Sequence, residues 1–151
     1  MDSSLILFRI DQFNCALPIE YDPYCFRAVK IQSIPIDVPF FQGTVDFHGS
    51  NIPVFNLRKK FSLPAKDLNP RQTMIKLRTR QNYIIIIADT VAGFTRVMQE
   101  EINPITGVND TALPFAASFF RENEKYLLLN FNILIDGEDL IAIDSIYSNV
   151  N

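Results

Sequence analysis

Tryptophan is absent from this 151-residue chain, and there is a single histidine, His48. One imidazole excludes any metal site that needs two, the Cys2His2 pattern among them. Two cysteines, Cys15 and Cys25, are too few for a disulfide framework. Cys15 alternates with Phe13 and Leu17 and is expected to face a core as a small apolar residue; a catalytic or disulfide role would need a partner that the sequence does not reveal. The five glycines form neither a phosphate loop nor a dinucleotide fingerprint. The longest unbroken apolar run, Tyr83 to Ala88, is far below the ~18 residues of a membrane span, so no direct membrane insertion is expected. Met1-Asp2-Ser3-Ser4 lacks the positive start of a secretory signal, and a cytoplasmic protein is expected. Excess positive charge is missing as well. Lys and Arg number 14 against 17 Asp and Glu, a net charge of −3, whereas a nucleic-acid binder normally shows a basic face. The run Arg58-Lys59-Lys60 is short and reads as the solvated face of a helix end.

What is present is apolar mass arranged with a period of two. Hydrophobic residues make up 48% of the chain and Phe occurs 13 times, enough to bury a core in one domain, or in two small barrels sharing one. Leu5 and Leu7 lead to a polar break at Asp11-Gln12, after which Phe13, Cys15, Leu17 and Ile19 alternate, as in a hairpin. Pro18 places the end of that strand or an edge there. The most ordered signal spans residues 39–61. Gly43 and Gly49 bracket a strand at 44–47, a second strand at 52–56 carries Pro53, and a helical turn follows at 57–61. Residues 65–71 read as a connector. Strands are expected at 74–77, 83–87 and 91–98, a turn at 99–104, a long loop at 105–114, and a last hairpin at 115–131. From Asp136 onward Leu140, Ile143, Asp144 and Tyr147 fall at helical spacing, and Asp136 with Asp139 resembles a capping box.

A weak internal repeat runs through these elements. Ile52-Pro53-Val54-Phe55-Asn56-Leu57 and Tyr126-Leu127-Leu128-Leu129-Asn130-Phe131 share their apolar spacing around an asparagine, 74 positions apart. Phe13 and Tyr83 match at an offset of 70. Chance similarity among apolar strands is the competing explanation. As a repeat, the pattern means two antiparallel units of about five strands, neither of which buries much alone, packed on one another.

Chemistry is harder to find. Asp46 and His48 would share a face of one strand, which makes a contact geometrically feasible, but no nucleophile accompanies them. Asp136-Gly137-Glu138-Asp139 lacks the ligand spacing of a calcium loop. Asp89 has no second carboxylate at a matched distance. No catalytic residue, metal ligand or cofactor site is assigned.

With those residues in view, the chain resembles the CheW-like family of chemotaxis coupling proteins over essentially its full length. Pro39-Phe40 with Gly43 is similar to the segment before the family's Asn-Leu-Arg-Gly motif, which falls here on Asp46-Phe47-His48-Gly49. Ile52-Pro53-Val54-Phe55-Asn56-Leu57-Arg58 resembles the family's Ile-x-Pro-Val-x-Asp-Leu-Arg strand and turn. Ala88-Asp89 with Val91 resembles its Val-Asp-x-Val strand, and 138–145 its C-terminal helix. The resemblance implies an all-β fold, two SH3-like five-stranded β-barrel subdomains packed on a shared hydrophobic core, with short helical turns and a C-terminal helix. The subdomains are expected at about 5–64 and 72–135, and the helix at 136–150. It implies a non-catalytic adaptor between the regulatory domain of a CheA-like histidine kinase and the coiled-coil tip of a methyl-accepting chemoreceptor, recruited to membrane receptor arrays. The receptor helices would lie in the groove between barrels and the kinase would pair with an exposed barrel end. An SH3- or OB-like module binding a ligand or nucleic acid is the alternative, and the acidic charge counts against it.

The departures from the family locate the expected partner surface: Asp22, Tyr24, Gly43, Asp46, Phe47 and His48. His48 stands where the motif has Arg, Asp46 where it has Asn, and Tyr24 where the family usually has a Glu that lies near that Arg. Asn56 replaces the Asp of the Asp-Leu-Arg turn. Together these changes remove an ion pair and imply altered partner specificity, with neutral drift in a working adaptor as the competing explanation.

Overall fold

Alternating apolar residues bounded by turn formers build most of the chain into antiparallel strands. The computed structural model describes residues 2–105 and 114–150. In chain order the strands are β1 (Asp2–Ile10), β2 (Phe13–Pro18), β3 (Tyr24–Arg27), β4 (Phe41–Phe47), β5 (Ser50–Phe55), β6 (Thr73–Arg78), β7 (Tyr83–Ala88), β8 (Thr90–Met98), β9 (Asn103–Pro104), β10 (Phe115–Arg121) and β11 (Glu124–Leu129). Three helices follow strands: α1 (Leu57–Lys60), α2 (Phe131–Leu134) and α3 (Gly137–Val150). The long loop expected at 105–114 lies, beyond its two end residues, outside the described residues.

Two sheets result, a six-stranded one in the order β8-β1-β2-β11-β10-β9 and a five-stranded one in the order β3-β6-β7-β5-β4. Strand membership does not follow a division of the chain into 5–64 and 72–135. The hairpin β1–β2 sits between β8 and β11, and the hairpin β6–β7 sits between β3 and β5. Each sheet therefore takes its central hairpin from one half of the chain and its flanking strands from the other. The pairings correspond one to one: β1·β8 matches β6·β3, and the parallel pair β2·β11 matches the parallel pair β7·β5. Even β9, which supplies the sixth strand by pairing Asn103 with Ser118 of β10, has a counterpart in the single bridge between Gln32 and Thr44 of β4.

The exchange explains the burial pattern. A central hairpin strand covered on both faces reads as a continuous apolar run. In β7, Ile85 enters the interior of the five-stranded sheet with Val45, Ile52, Val54 and Met74. Its neighbours Ile84, Ile86 and Ala88 face the other way, into a core shared with Ile6, Phe8, Ile10, Cys15 and Leu17 of the six-stranded sheet. Leu5, Leu7, Ala16, Val97, Phe119 and Tyr126 fill that sheet's own interior. Cys15 is fully buried as a free thiol, and burial pushes it up to about 12, so it stays protonated and inert.

The two repeat asparagines perform the same task. Asn56 Oδ1 accepts the Lys59 N–H at 3.0 Å and Asn130 Oδ1 accepts the Asn132 N–H at 3.2 Å, each capping the short helix after its strand. α3 starts on a reciprocal cap, with the Asp136 N–H donating to Asp139 Oδ2 at 3.1 Å and the Asp139 N–H to Asp136 Oδ1 at 2.9 Å. Lys60 of α1 adds a 2.8 Å ion pair to the buried Asp139. Further along α3, the Tyr147 hydroxyl donates to the Tyr83 carbonyl at 2.9 Å, and the Val150 carbonyl accepts from Asn51 at 3.2 Å. The C-terminal helix is thereby tied to the five-stranded sheet although it follows the six-stranded one in sequence.

Candidate functional site

A five-stranded sheet leaves two edges, here β3 and β4, each paired on one side. The sheet curls until these edges meet through side chains. Tyr24 and Phe26 project from the same face of β3, as period two requires. Phe47 at the end of β4 packs against both, with ring centroids 5.5 Å from Tyr24 and 5.4 Å from Phe26. His48 stands edge-on to Phe47 at 4.5 Å, so Phe47 lies between the Tyr24 and His48 rings. Lys76 of β6 reaches over the group, its ammonium 4.7 Å from the Phe47 ring centre and 4.3 Å from that of Tyr83. Closing a sheet with rings rather than backbone hydrogen bonds leaves aromatic area facing solvent, and Tyr24 remains 52% exposed. An exposed ring among half-buried ones beside a cation resembles the composition of protein-binding surfaces.

The other expected residues hold different positions. Asp46 Oδ1 accepts the Gly49 N–H at 3.0 Å and sets the β4–β5 turn, in which His48 and Gly49 are both left-handed (φ 51° and 91°). Asp22 is exposed just before β3, in a left-handed conformation that ends the 3-10 turn Ile19–Tyr21. Gly43 is buried, at a bulge where β4 shifts register. Its φ is 139°, and a Cβ there would lie 2.2 Å from the Gln32 carbonyl oxygen. Gly43 thus lets the connector 28–40 dock against β4. The structure brings Tyr24, Phe47 and His48 together, with Asp46 in the same turn and Asp22 beside β3.

Phe26, Lys76 and Tyr83 escaped the sequence reading. Phe26 was within reach of it, two residues beyond Tyr24 on the same strand. Lys76 carries a weaker signal, a lone charge within the apolar run Met74-Ile75-Lys76-Leu77. Beside the aromatic face, an open cleft of about 750 Å³ runs between the sheets, bounded by Cys25, Phe26 and Arg27 of β3, Arg71 and Thr73, and Val91 of β8.

Asp89, the isolated carboxylate of the sequence, is a junction between the sheets. Its Oδ2 accepts the Asp11 N–H at 2.7 Å and Arg58 at 3.0 Å, and its Oδ1 accepts Gln72 at 3.2 Å and Lys66 at 3.3 Å. Burial opposes its ionisation, but the Asp11 N–H, Gln72, Lys66 and Arg58 outweigh that and hold the carboxyl below its ordinary value. Its lone pairs are committed to holding the β7–β8 crossing. Among the described residues no group of three or more His, Cys, Asp and Glu side chains is placed to hold a metal ion.

Comparison with known proteins agrees with this geometry. A family profile described as "CheW-like domain" matches residues 4–143. The chain is 24% identical over 106 residues to "Chemotaxis protein CheW" of Thermotoga maritima, covering 70% of this chain and 69% of that protein. It is also 24% identical over 137 residues to "Protein FrzA" of Myxococcus xanthus, covering 89% and 86% respectively. The crystal structure of the scaffolding protein TtCheW from Thermoanaerobacter tengcongensis superposes with a TM-score of 0.78 at 20% identity, over 92% of this chain and 96% of that one. That likeness establishes a shared fold.

Proposed function

This chain belongs to the CheW-like domain family, and from that membership we propose that it couples the cytoplasmic tip of a chemoreceptor to the regulatory domain of a CheA-like histidine kinase. The family is one of non-catalytic scaffolds in chemotaxis signalling, and the chain is such a scaffold. Among the described residues no helix is long and apolar enough to cross a membrane, so recruitment to a receptor array would run through protein contacts.

One observation supports the coupling above the others. The exposed ring of Tyr24, packed on the half-buried Phe47, adjoins an open cleft between the sheets, a shape suited to receptor helices laid against aromatic anchors. The kinase domain would pair with an exposed sheet end. Each contact would bury about 1,200 Å² or less, so stable assembly would come from many weak contacts in an array. Tyr24 and His48, which stand where the family's charged pair is expected, both pack on Phe47, which favours a receptor or kinase that offers apolar rather than charged complements.

The test is binding of the receptor tip and the kinase regulatory domain from the same organism, measured by calorimetry or pull-down. Tyr24→Ala and Phe47→Ala are expected to weaken receptor-tip binding about tenfold or more each, as for aromatic anchors. Tight receptor binding unchanged by both substitutions would overturn the assignment of this face. Strong binding to partners of a standard family member, unaffected by His48→Ala, would overturn the altered specificity alone.

A further inference from the structure

The seam between the sheets also opens beside the helices. There a cavity of about 490 Å³ is floored by Tyr21, Phe131, Ile135 and Leu140, with Arg78 and Arg80 of the β6–β7 turn on one wall. Tyr21 and Phe131 are stacked at 4.2 Å, so the floor is preformed. Each of the three elements framing the opening carries an exposed aliphatic next to a lining residue. Ile19 precedes the lining residues Glu20 and Tyr21, Ile133 follows Asn132, and Ile141 follows Leu140. Ile141, on α3, is 70% exposed, the highest value for a large apolar side chain among the described residues. Clustered exposed aliphatics beside a preformed apolar groove mark an interaction surface.

The charges around the groove indicate what fills it. Arg78 and Arg80 are exposed, and neither takes part in an ion pair among the described residues. Glu138 is likewise exposed and unpaired, on the same helix as Ile141 and three residues before it, which places both on one face. The patch thus carries a groove and a knob to fill it, with a basic wall and an acidic helix turn. A partner of one charge sign would leave the other half unmatched, whereas a second copy related by a twofold axis supplies every complement at once.

We propose that this seam is a self-association surface, on which two copies pack about a twofold axis. Ile141 of each copy enters the seam of the other, and Glu138 of each faces Arg78 and Arg80 of the other. The surface is small, and the dimer forms at high local concentration, as in an array.

Sedimentation equilibrium of the full chain across a concentration series tests this. The expected result is a reversible monomer–dimer equilibrium, with Ile141→Glu raising the dissociation constant at least about tenfold. Arg80→Glu and Glu138→Arg should each weaken the dimer, and the double charge reversal should restore it. These side chains are exposed, so unchanged thermal melts are expected throughout. A chain that stays monomeric across the series overturns the proposal. So does a dimer indifferent to Ile141→Glu, or one that the double reversal fails to rescue.

Discussion

At the end of β4 the chain carries Phe47, and 74 residues later, at the matching end of β10, it carries Arg121. Both side chains close a sheet by reaching its far edge strand, and they do so with opposite chemistry. Phe47 meets the rings of β3. Arg121 donates to Thr95 Oγ1 at 3.0 Å and to the Arg96 carbonyl of β8, and forms a 2.6 Å ion pair with Glu101. The hydrogen-bonded Glu101 carboxylate raises the Arg121 guanidinium above its ordinary value, and Arg121 in turn lowers Glu101. A guanidinium that spends its donors inside the molecule has little left to offer, whereas an aromatic closure leaves ring faces and edges open. The repeated hairpin is the scaffold, and the residue at this one position decides whether the sheet closes on rings or on hydrogen bonds.

The turns of the two hairpins repeat the lesson at the backbone. His48-Gly49 and Glu122-Asn123 are both left-handed, and both hairpins carry a bulge, between Phe41 and Gly43 and between Phe115 and Ala117. Alanine occupies the second bulge because Ala117 lies outside the left-handed region, whereas Gly43 has a φ of 139° with the Gln32 carbonyl pressed against it.

The largest break in this symmetry is expected at that bulge. Gly43→Ala should destabilise the fold by about 3 kcal/mol, from left-handed strain and overlap with the Gln32 carbonyl, while Ala117→Gly should cost about 1 kcal/mol or less. Urea midpoints at constant slope measure both, and equal losses would show the bulges to be interchangeable. Next comes the junction between the sheets. Asp89→Asn keeps the shape but leaves Lys66 without a counter-charge and Arg58 with only its longer pair to Asp11 at 3.5 Å, a loss of about 2–3 kcal/mol near neutral pH. Because the folded-state pKa of Asp89 is depressed, its stabilisation is complete above the ordinary carboxylate value near pH 4 and is lost as pH falls through the lower folded value. The variant should therefore show a flatter acid limb in a pH series of melts.

The closures themselves separate stability from binding. Phe47→Ala should cost about 2 kcal/mol, less than for a fully buried Phe because the ring is half-buried, and should weaken receptor-tip binding as well. Arg121→Ala should cost about 1 kcal/mol through its lost hydrogen bonds and leave that binding unchanged. A binding loss in both would mean that exposure of the rings is not what distinguishes the two ends. The smallest effects are expected at the caps, where Asn56→Ala and Asn130→Ala should each cost about 1 kcal/mol in thermal melts; a clear inequality would show that Lys60, through Asp139, makes α1 the more important helix.

Much of this was legible in the chain. Period two located the hairpins, the Asp136–Asp139 spacing located the start of α3, and the asparagines at 56 and 130 carried the repeat. The motif around Asp46-Phe47-His48-Gly49 falls on the β4–β5 turn, where Phe47 meets Tyr24. The buried bulge at Gly43 was not legible, because a glycine's letter does not distinguish an exposed turn from a buried bulge. Asp89 looked isolated because its four partners come from residues 11, 58, 66 and 72, which no local pattern connects. Lys76 joins the aromatic group only because β3 lies beside β6, pairing Tyr24 with Lys76.

The sequence by itself determined the elements and their repeat, because periodicity, caps and turn residues act over a few positions. Tertiary structure decided which hairpin entered which sheet, since a strand that is apolar on both faces is satisfied in any central position and pairing is settled only by the surfaces available on either side. It also decided that Phe47 would close its sheet on rings and Arg121 on hydrogen bonds. That outcome depends on the strand each side chain meets across the sheet, a relation between residues 23 to 26 positions apart that no local rule contains.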